Sequence, residues 1–198
     1  TVTVNAIPAG GYAVESIVVN GGAVTVTGST FTMPAEPVTV TVTFAEHAGS
    51  SLFISEVADP SNNASGGRFV ELYNAGVASV DLAAGNWFLA RQSNGGATWG
   101  NIALTGTVAP GGTYVIAGSS NYPTAYPSAP AANQTSGSID GNGDDGYFLF
   151  SGGRHTNGIL EDAYGVIDQD GTGMPWEYTD RRAVRQTAVT VGNPTWTA

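Results

Sequence analysis

Residues 52–74, LFISEVADPSNNASGGRFVELYN, decide the fold of this chain. They hold two short apolar segments, LFISEV and RFVELYN, joined by a polar loop with an Asp-Pro and a Gly-Gly pair. Short apolar segments rich in Val, Ile, Phe and Tyr and bounded by Gly, Pro, Asn and Asp are typical of β-strands. We therefore predict a pair of adjacent strands, to which the rest of the chain adds further strands.

Similar short segments follow the first pair, and no helical periodicity interrupts them. They are ASVDL, NWFLARQ, NIALTGTV, GTYVIAG, DGYFLFSG, ILEDAYGVI and RAVRQTAVTV. A long proline-containing stretch at 119–142 is expected to be a surface excursion with a helical turn. The chain also holds 28 glycines and 10 prolines. These features predict an all-β protein built around a two-sheet sandwich.

The first 46 residues alternate apolar and polar positions more strictly than the rest. The segments TVTVNAI, AVESIVVN, AVTVTG and VTVTVTF each place every second residue on one face, as half-buried strands require. We predict a small β unit at 1–46, a linker at 47–51 and the sandwich at 52–198. The small unit is interpreted as a spacer, with an adhesive module as the alternative.

These parts resemble two known families. The segment NAIPAGGYAVESIVVNGGAVTVTGSTFTMPAEPVTVTVTF resembles the later part of the internalin-B-type β repeats of bacterial surface proteins. From about residue 50, the blocks LFISEV, RFVELYNAG, GNWFLARQSNGG, LTGTVAPGGTYVIAG and SGSIDGNGDDGYFLFSGG resemble, in this order, the lamin tail domain. Residues 168–198 depart from the nuclear version and resemble the extension of bacterial members, so lamin partners are not carried over.

The resemblance implies an immunoglobulin-like β-sandwich, without catalysis, in an exported, multi-domain bacterial protein at the cell surface or outside the cell. Because residue 1 already lies within a strand pattern, we expect the chain to be tethered to other domains of a longer precursor. The family leaves the ligand open.

The charge balance limits the classes of partner that the chain can bind. The chain has six arginines, no lysine and sixteen acidic residues, which gives a net charge of −10. Nucleic acids and anionic membranes are bound through clustered positive charge, so both are disfavoured as partners. No apolar run approaches the roughly 20 residues of a membrane helix, so membrane insertion is not expected. With no cysteine, disulfides and thiolate metal sites are excluded.

Oxygen ligands recur before the strand GYFLF. Asp140, Asn142, Asp144 and Asp145 are spaced as at the start of a calcium loop, and we call this group the acidic hairpin. The sixth position lacks the usual glycine and the twelfth lacks glutamate, so turn chemistry is the alternative. Asp168 and Asp170 form a weaker calcium candidate. The same segment matches G-x-G-x-x-G, but the following strand and the aspartates argue against a dinucleotide site.

Enzymatic signals are weak. Glu56 and Glu71 could form a glycosidase-like carboxylate pair, although strand parity suggests that they face differently, and structural roles at strand ends are favoured. His47 and His155 are expected to be solvated, and no nucleophile elbow accompanies them. Two isolated histidines also argue against zinc. We predict no enzyme and no certain cofactor, with calcium as the one possible metal.

Aromatic residues are the remaining candidates for ligand binding. Trp87 shares its parity with Leu89 and is expected in the core. The other candidates lie in predicted loops or the tail and could either stack on sugars or anchor those loops; they are Trp99, Tyr122, Tyr126, Trp176, Tyr178 and Trp196. The arginines at 181, 182 and 185 are expected to pair with nearby acids such as Glu177 and Asp180. The leading hypothesis is an interaction module that binds protein or carbohydrate. A structural spacer beside a neighbouring domain, possibly a hydrolase, is the alternative.

Overall fold

The structure is a computed structural model that describes residues 1–8, 11–62 and 64–197. Its regular elements are almost all strands. In chain order they are β1 (Val2–Thr3), β2 (Tyr12–Val19), β3 (Val26–Thr27), β4 (Thr30–Phe31), β5 (Val40–Glu46), β6 (Leu52–Ala58), β7 (Phe69–Asn74), β8 (Val80–Asp81), β9 (Phe88–Gln92), β10 (Trp99–Ala103), β11 (Thr107–Val108), β12 (Thr113–Ala117), β13 (Gln134–Thr135), β14 (Gly146–Ser151), β15 (Ile159–Tyr164) and β16 (Arg182–Val184). Short helical turns lie at Asn20–Gly22, Ala64–Gly67, Ser93–Gly95 and Tyr122–Ala125.

Two sheets form the sandwich predicted from residue 52 onward. One has the order β13-β12-β7-β6-β16 and the other β10-β9-β14-β15, while β8 and β11 pair separately. All of these pairs are antiparallel except β12 with β13. The first two predicted strands, β6 and β7, are neighbours in the first sheet. The all-β prediction is confirmed.

The core lies between the two sheets because alternate residues of each strand point inward. Leu52, Ile54, Leu72, Leu89 and Leu149 are each at most 2% exposed. Trp87 joins the same cluster, as its parity predicted. Burying one such side chain contributes about 1.5–3 kcal/mol, so this cluster stabilises the sandwich substantially.

A β-bulge in β6 changes which residues face outward. The pairing runs Ile54 with Leu72 and then Glu56 with Glu71, so Ser55 is the extra residue. The Ser55 hydroxyl donates to the Glu71 carbonyl oxygen at 3.1 Å and to its Oε1 at 2.8 Å. The parity prediction for Glu56 was therefore wrong, because the bulge places Glu56 directly opposite Glu71.

Two small sheets make up the N-terminal unit. One pairs β2 with β5 and the other has the order β1-β4-β3. The predicted turn at Asn20–Gly22 is present, with positive φ angles at both of its glycines. The last strand of this unit ends at Glu46, and the first strand of the sandwich begins at Leu52.

Close contacts join the N-terminal unit to the sandwich. The His47 Nε2 lies 2.7 Å from Glu161 Oε2 on β15. Gly49 has a φ of +84°, and a Cβ there would lie 2.4 Å from the Gly192 carbonyl oxygen. Only glycine fits this approach, so the segment between the units is packed against the C-terminal tail. No helix of the described residues is long and apolar enough to cross a membrane.

Candidate functional site

A cleft of about 600 Å³ opens beside β16, at one edge of the five-stranded sheet. We call it the arginine cleft. Its walls come from β6, β16 and the C-terminal tail, and the residues used below are Glu56, Arg181, Arg182, Val184, Arg185 and Trp196. Half of the arginines of this acidic chain therefore line one concave surface.

The backbone of β16 is only partly used by the sheet. Asp59 N–H donates to the Arg181 carbonyl, and Arg185 N–H donates to the Ser55 carbonyl, so these alternate residues face β6. Arg182 and Val184 sit opposite β6 in the positions whose N–H and C=O groups point away from the partner strand. No other described strand pairs with β16 on that side. Its outer edge therefore offers hydrogen-bonding groups to a ligand.

The predicted strand RAVRQTAVTV pairs with β6 only over its first three residues, and beyond them the Arg185 side chain binds Asp162 and the start of β6. The Arg185 Nη2 lies 2.8 and 3.0 Å from the two Asp162 carboxylate oxygens, and its Nε donates to the Ile54 carbonyl at 2.8 Å. Asp162 also accepts N–H bonds from Ile54 and Asn193. This side chain therefore takes the place of further β16 residues along the start of β6.

Arg182 connects the cleft to the carboxylate pair formed by Glu56 on β6 and Glu71 on β7. Its Nη1 lies 3.1 Å from Glu56 Oε1, which is within ion-pair distance but out of line for a hydrogen bond. Burial raises the pKa of Glu56, the Arg182 guanidinium lowers it, and the neighbouring Glu71 raises it further. Both carboxylates already have partners, Arg182 for one and Ser55 for the other. The geometry thus favours the structural interpretation of this pair.

The predicted partners of the cleft arginines were wrong. Arg182 pairs with Glu56 and Arg185 with Asp162. Glu177 instead accepts bonds from Gly173 N–H and the Thr179 hydroxyl within its own turn. Among the ion pairs of the described residues, none involves Arg181. Arg181 is thus an exposed positive charge at the mouth of the cleft.

The acidic hairpin is organised around an arginine. Arg91 Nη1 lies 2.8 Å from Asp145 Oδ2, and Arg91 Nε lies 2.9 Å from Asp140 Oδ1. Asp145 is 1% exposed and also accepts the Asn94 N–H at 2.8 Å. A guanidinium thus already occupies the position between two of the four predicted calcium ligands.

The other two predicted ligands lie apart from Arg91. Asn142 is exposed, and Asp144 accepts a 3.3 Å bond from the Thr172 hydroxyl. Burial raises the pKa of Asp144, with the charge of Asp145 as the second cause. Within the described residues, no group of three acidic or histidine side chains is arranged to hold a metal ion. Calcium binding stays a prediction, without geometric support.

Both members of the weaker calcium candidate belong to turns. Asp168 Oδ1 accepts a bond from Gln92 Nε2 at 2.7 Å, and its backbone has a φ of +63°. Asp170 Oδ1 accepts the Thr172 N–H at 2.8 Å, and this bond lowers the pKa of Asp170. The Asp170 bond is the one that Asp makes when it stabilises a tight turn, whereas the Asp168 bond ties its turn to β9.

Both histidines are partly exposed, but each has a side-chain partner, which corrects the expectation that they are free in solvent. His47 pairs with Glu161 between the two units. His155 stacks on Trp99 with ring centroids 4.4 Å apart, and its Nδ1 lies 2.7 Å from Asn101 Oδ1. Burial lowers the pKa of His155, and the charge of Arg154 lowers it further. Each histidine is held by a structural contact.

The candidate aromatic residues are mostly anchors. Trp176 and Tyr178 are at most 2% exposed, and Tyr122 packs with Tyr126 on Phe69 at the outer face of the first sheet. Trp99 lies in β10 rather than in a loop. The interpretation as sugar-stacking rings is therefore wrong for the buried ones. Trp196 is partly exposed and lines the arginine cleft.

Sequence reasoning missed the two arginine–aspartate pairs that organise these regions. Arg91 lies within the apolar segment NWFLARQ, and Asp162 lies within ILEDAYGVI. A charged residue inside a buried strand is almost always paired, so each position signals a partner. The partners themselves come from distant parts of the chain, at Asp145 and Arg185. Only the fold shows which residues meet.

The paired sheets, the enclosed core and the added edge strand define an immunoglobulin-like β-sandwich with an N-terminal β unit. Residues 45–169 match the family model described as Lamin Tail Domain. The chain therefore belongs to the lamin tail domain family. Residues 1–48 match the model described as Divergent InlB B-repeat domain, which is a repeat of bacterial surface proteins. Both resemblances are confirmed. Neither family is catalytic. No curated protein matches the chain.

The range matched by the lamin tail family model does not include the whole of the arginine cleft. It ends at residue 169, whereas β16 and the tail that build the cleft follow at 182–197. The arginine cleft thus depends on a part of the chain outside the matched range.

Proposed function

We propose that this chain is a non-catalytic interaction module of an exported bacterial surface protein and that it binds its ligand in the arginine cleft. The observation that carries this proposal is the open edge of β16 beside a cleft lined by half of the chain's positive charges. A concave surface with apolar walls and a few convergent polar groups is the usual form of a binding site.

The setting of the module is supported by the N-terminal match. A repeat of the InlB type indicates a bacterial surface protein, in which such units separate and present other domains. We infer that the ligand is a protein or glycan met outside the cell and that the module is tethered to further domains.

A non-catalytic role is supported by the engagement of the candidate catalytic groups. Glu56 pairs with Arg182, Glu71 accepts the Ser55 hydroxyl, and both histidines have structural partners. A general acid or base needs a titratable group positioned against a substrate. The groups that line the arginine cleft are suited to holding a ligand by charge and hydrogen bonds.

One observation favours a second candidate, a structural spacer. The segment between the two units packs closely on the tail through Gly49, and His47 pairs with Glu161 across the junction. Such a junction suits a stiff connector that presents a neighbouring domain. A spacer requires no ligand.

Glycan and extracellular-protein arrays separate the two candidates. The wild-type chain should bind a subset of spots, and the double variant Arg181→Gln, Arg182→Gln should lose them. Arg154→Gln is the matched control, because Arg154 is an exposed arginine outside the cleft. Arrays that stay blank with the wild-type chain at high concentration would refute the interaction module and favour the spacer.

A further inference from the structure

We propose that the arginine cleft binds an extended acidic peptide, which adds as a strand to the open edge of β16. This inference rests on the proposed function and names the ligand class for that same cleft. It combines two independent observations, the free backbone groups of the edge strand and the positive charges beside them.

The backbone supplies the first half of the recognition. Arg182 and Val184 each direct one N–H and one C=O away from β6, because the intervening Ala183 uses its own groups to pair with Val57. An added strand satisfies alternate residues in the same way. Peptides that extend a sheet gain affinity from these main-chain bonds and specificity from side-chain contacts.

Two other edge strands of the sandwich, β15 and β10, have covers. At the β15 edge, Ala163 N–H donates to the Asn193 carbonyl of the tail. At the β10 edge, Gln134 Nε2 donates to the Ala103 carbonyl, and Ser138 lies against Gly100. Proteins commonly protect their sheet edges in these ways. In the described part of the chain, β16 has no such cover on its outer side.

The exposed positive charges of the cleft indicate that the peptide is acidic. Arg181 is exposed and outside the described ion pairs, and the Arg182 side chain is 66% exposed while it touches Glu56. A guanidinium binds a carboxylate through two parallel hydrogen bonds, so acidic side chains of the peptide would pair with these arginines. Arg185 is already neutralised by Asp162, and Glu177 is held within its own turn. Arg181 and Arg182 are therefore the two specificity-determining charges, and because successive strand residues point to opposite faces, the glutamates of an alternating peptide pair with one or the other.

The same charges disfavour a second copy of this chain as the occupant. Two β16 strands paired edge to edge would bring the arginines of one copy close to those of the other. Like charges facing each other across a strand pair are destabilising. An acidic peptide instead brings opposite charge to the cleft.

Fluorescence anisotropy with the labelled peptide EVEVEVE tests the inference. Val184→Pro removes the outward N–H, and it should keep the fold because that N–H makes no bond to β6. We expect Val184→Pro to weaken binding about tenfold and Arg181→Gln, Arg182→Gln to weaken it by at least as much. Arg154→Gln should bind as the wild type does. Affinity should fall as salt is raised.

A backbone-methylated EVEVEVE gives the same test from the ligand side and does not depend on any variant folding. It keeps the carboxylates but lacks N–H donors, so we expect it to bind about tenfold more weakly. Equal binding of the methylated and plain peptides would overturn strand addition. Equal binding of KVKVKVK would overturn charge recognition. A dimer in sedimentation that Val184→Pro abolishes would assign the edge to a second copy and overturn the proposal.

The outcome for the peptide is separable from the outcome for the proposed function. Array binding that is lost in Arg181→Gln, Arg182→Gln but kept in Val184→Pro would retain the cleft as the site and refute strand addition. Tight binding of polygalacturonate together with absent peptide binding would assign the cleft to an acidic glycan and refute the peptide. Blank arrays together with absent peptide binding would refute both.

Discussion

Replacing Arg185 by methionine should destabilise the sandwich strongly. Asp162 is fully buried and contacts Arg185 through both carboxylate oxygens, while its other bonds come from the Ile54 and Asn193 N–H groups. Methionine keeps the aliphatic stem but lacks the guanidinium, whose carbon lies 5.4 Å from the Phe53 ring centroid. The change therefore removes the charge and its contact with the ring while it retains an apolar side chain.

The magnitude follows from leaving a buried carboxylate without its cation. Breaking one partner of a buried ion pair costs about 3–5 kcal/mol. For a chain of this length, each kcal/mol lowers Tm by roughly 2–4 °C, so Tm should fall by roughly 6–20 °C. Urea unfolding at pH 7, followed by tryptophan fluorescence, measures the loss of the free energy of unfolding. Asp162→Asn combined with Arg185→Met should cost less than the sum of the single changes.

The pH dependence gives an independent check. Burial raises the pKa of Asp162 even with Arg185 present. Without the guanidinium it should rise further, and a raised carboxyl pKa stabilises the fold at low pH and loses that contribution as pH increases. The deficit of Arg185→Met should therefore shrink as pH falls towards 4. A cost below about 1 kcal/mol at pH 7, as for an exposed pair, would refute the reasoning.

Three further predictions concern Glu56, calcium and Gly143. Burial raises the pKa of Glu56 above 4.5, so its protonated form favours folding and this stabilisation is lost as pH rises through the folded pKa. Glu56→Gln should therefore make the free energy of urea unfolding depend less on pH between about pH 4.5 and 7. An unchanged pH dependence in this variant would contradict the prediction. Because Arg91 already pairs with Asp140 and Asp145, we expect equal Tm in excess EDTA and in millimolar calcium, whereas a rise of several degrees in calcium would support the predicted calcium site. Gly143 has a φ of +105°, and a Cβ there would lie 2.2 Å from the Thr179 Cα; Gly143→Ala should cost at least about 1–3 kcal/mol by thermal unfolding. Gly152→Ala is its control, with a positive φ in open space, and an equal loss in the two variants would contradict the clash.

Much of the fold could be predicted because alternation reports which residues face a core. Leu52, Ile54, Leu72 and Leu89 are spaced as inward-facing strand residues, and all four are buried. Period-two patterns depend on neighbours in the chain, so they survive without knowledge of tertiary contacts. The tight turn at Asn20–Gly22 is predictable for the same reason.

The candidate site was less predictable because it depends on one extra residue and on long-range pairs. The bulge at Ser55 inverts the face of Glu56 relative to simple alternation and brings it opposite Glu71. The Ser55 carbonyl at the bulge also accepts a hydrogen bond from the Arg185 N–H, at the point where β16 ends. Partners separated by more than a hundred residues, such as His47 and Glu161, leave no mark in local spacing.

The aromatic residues also show that local sequence does not report which side chains reach the core. Trp176 and Tyr178 lie among polar and turn residues, which favoured loop positions. In the structure they close the core cluster beside Tyr164. A turn residue can carry its ring into the core, and sequence polarity around it does not report that direction.

An NMR titration of the isotopically labelled chain with EVEVEVE tests most directly whether the arginine cleft is the ligand site. The amide shifts should be largest at Arg182 and Val184, spread to the tail near Trp196, and diminish in Arg181→Gln, Arg182→Gln. Shifts confined to the N-terminal unit or to the acidic hairpin, or no shifts at millimolar peptide, would contradict the assignment of the ligand site to the cleft.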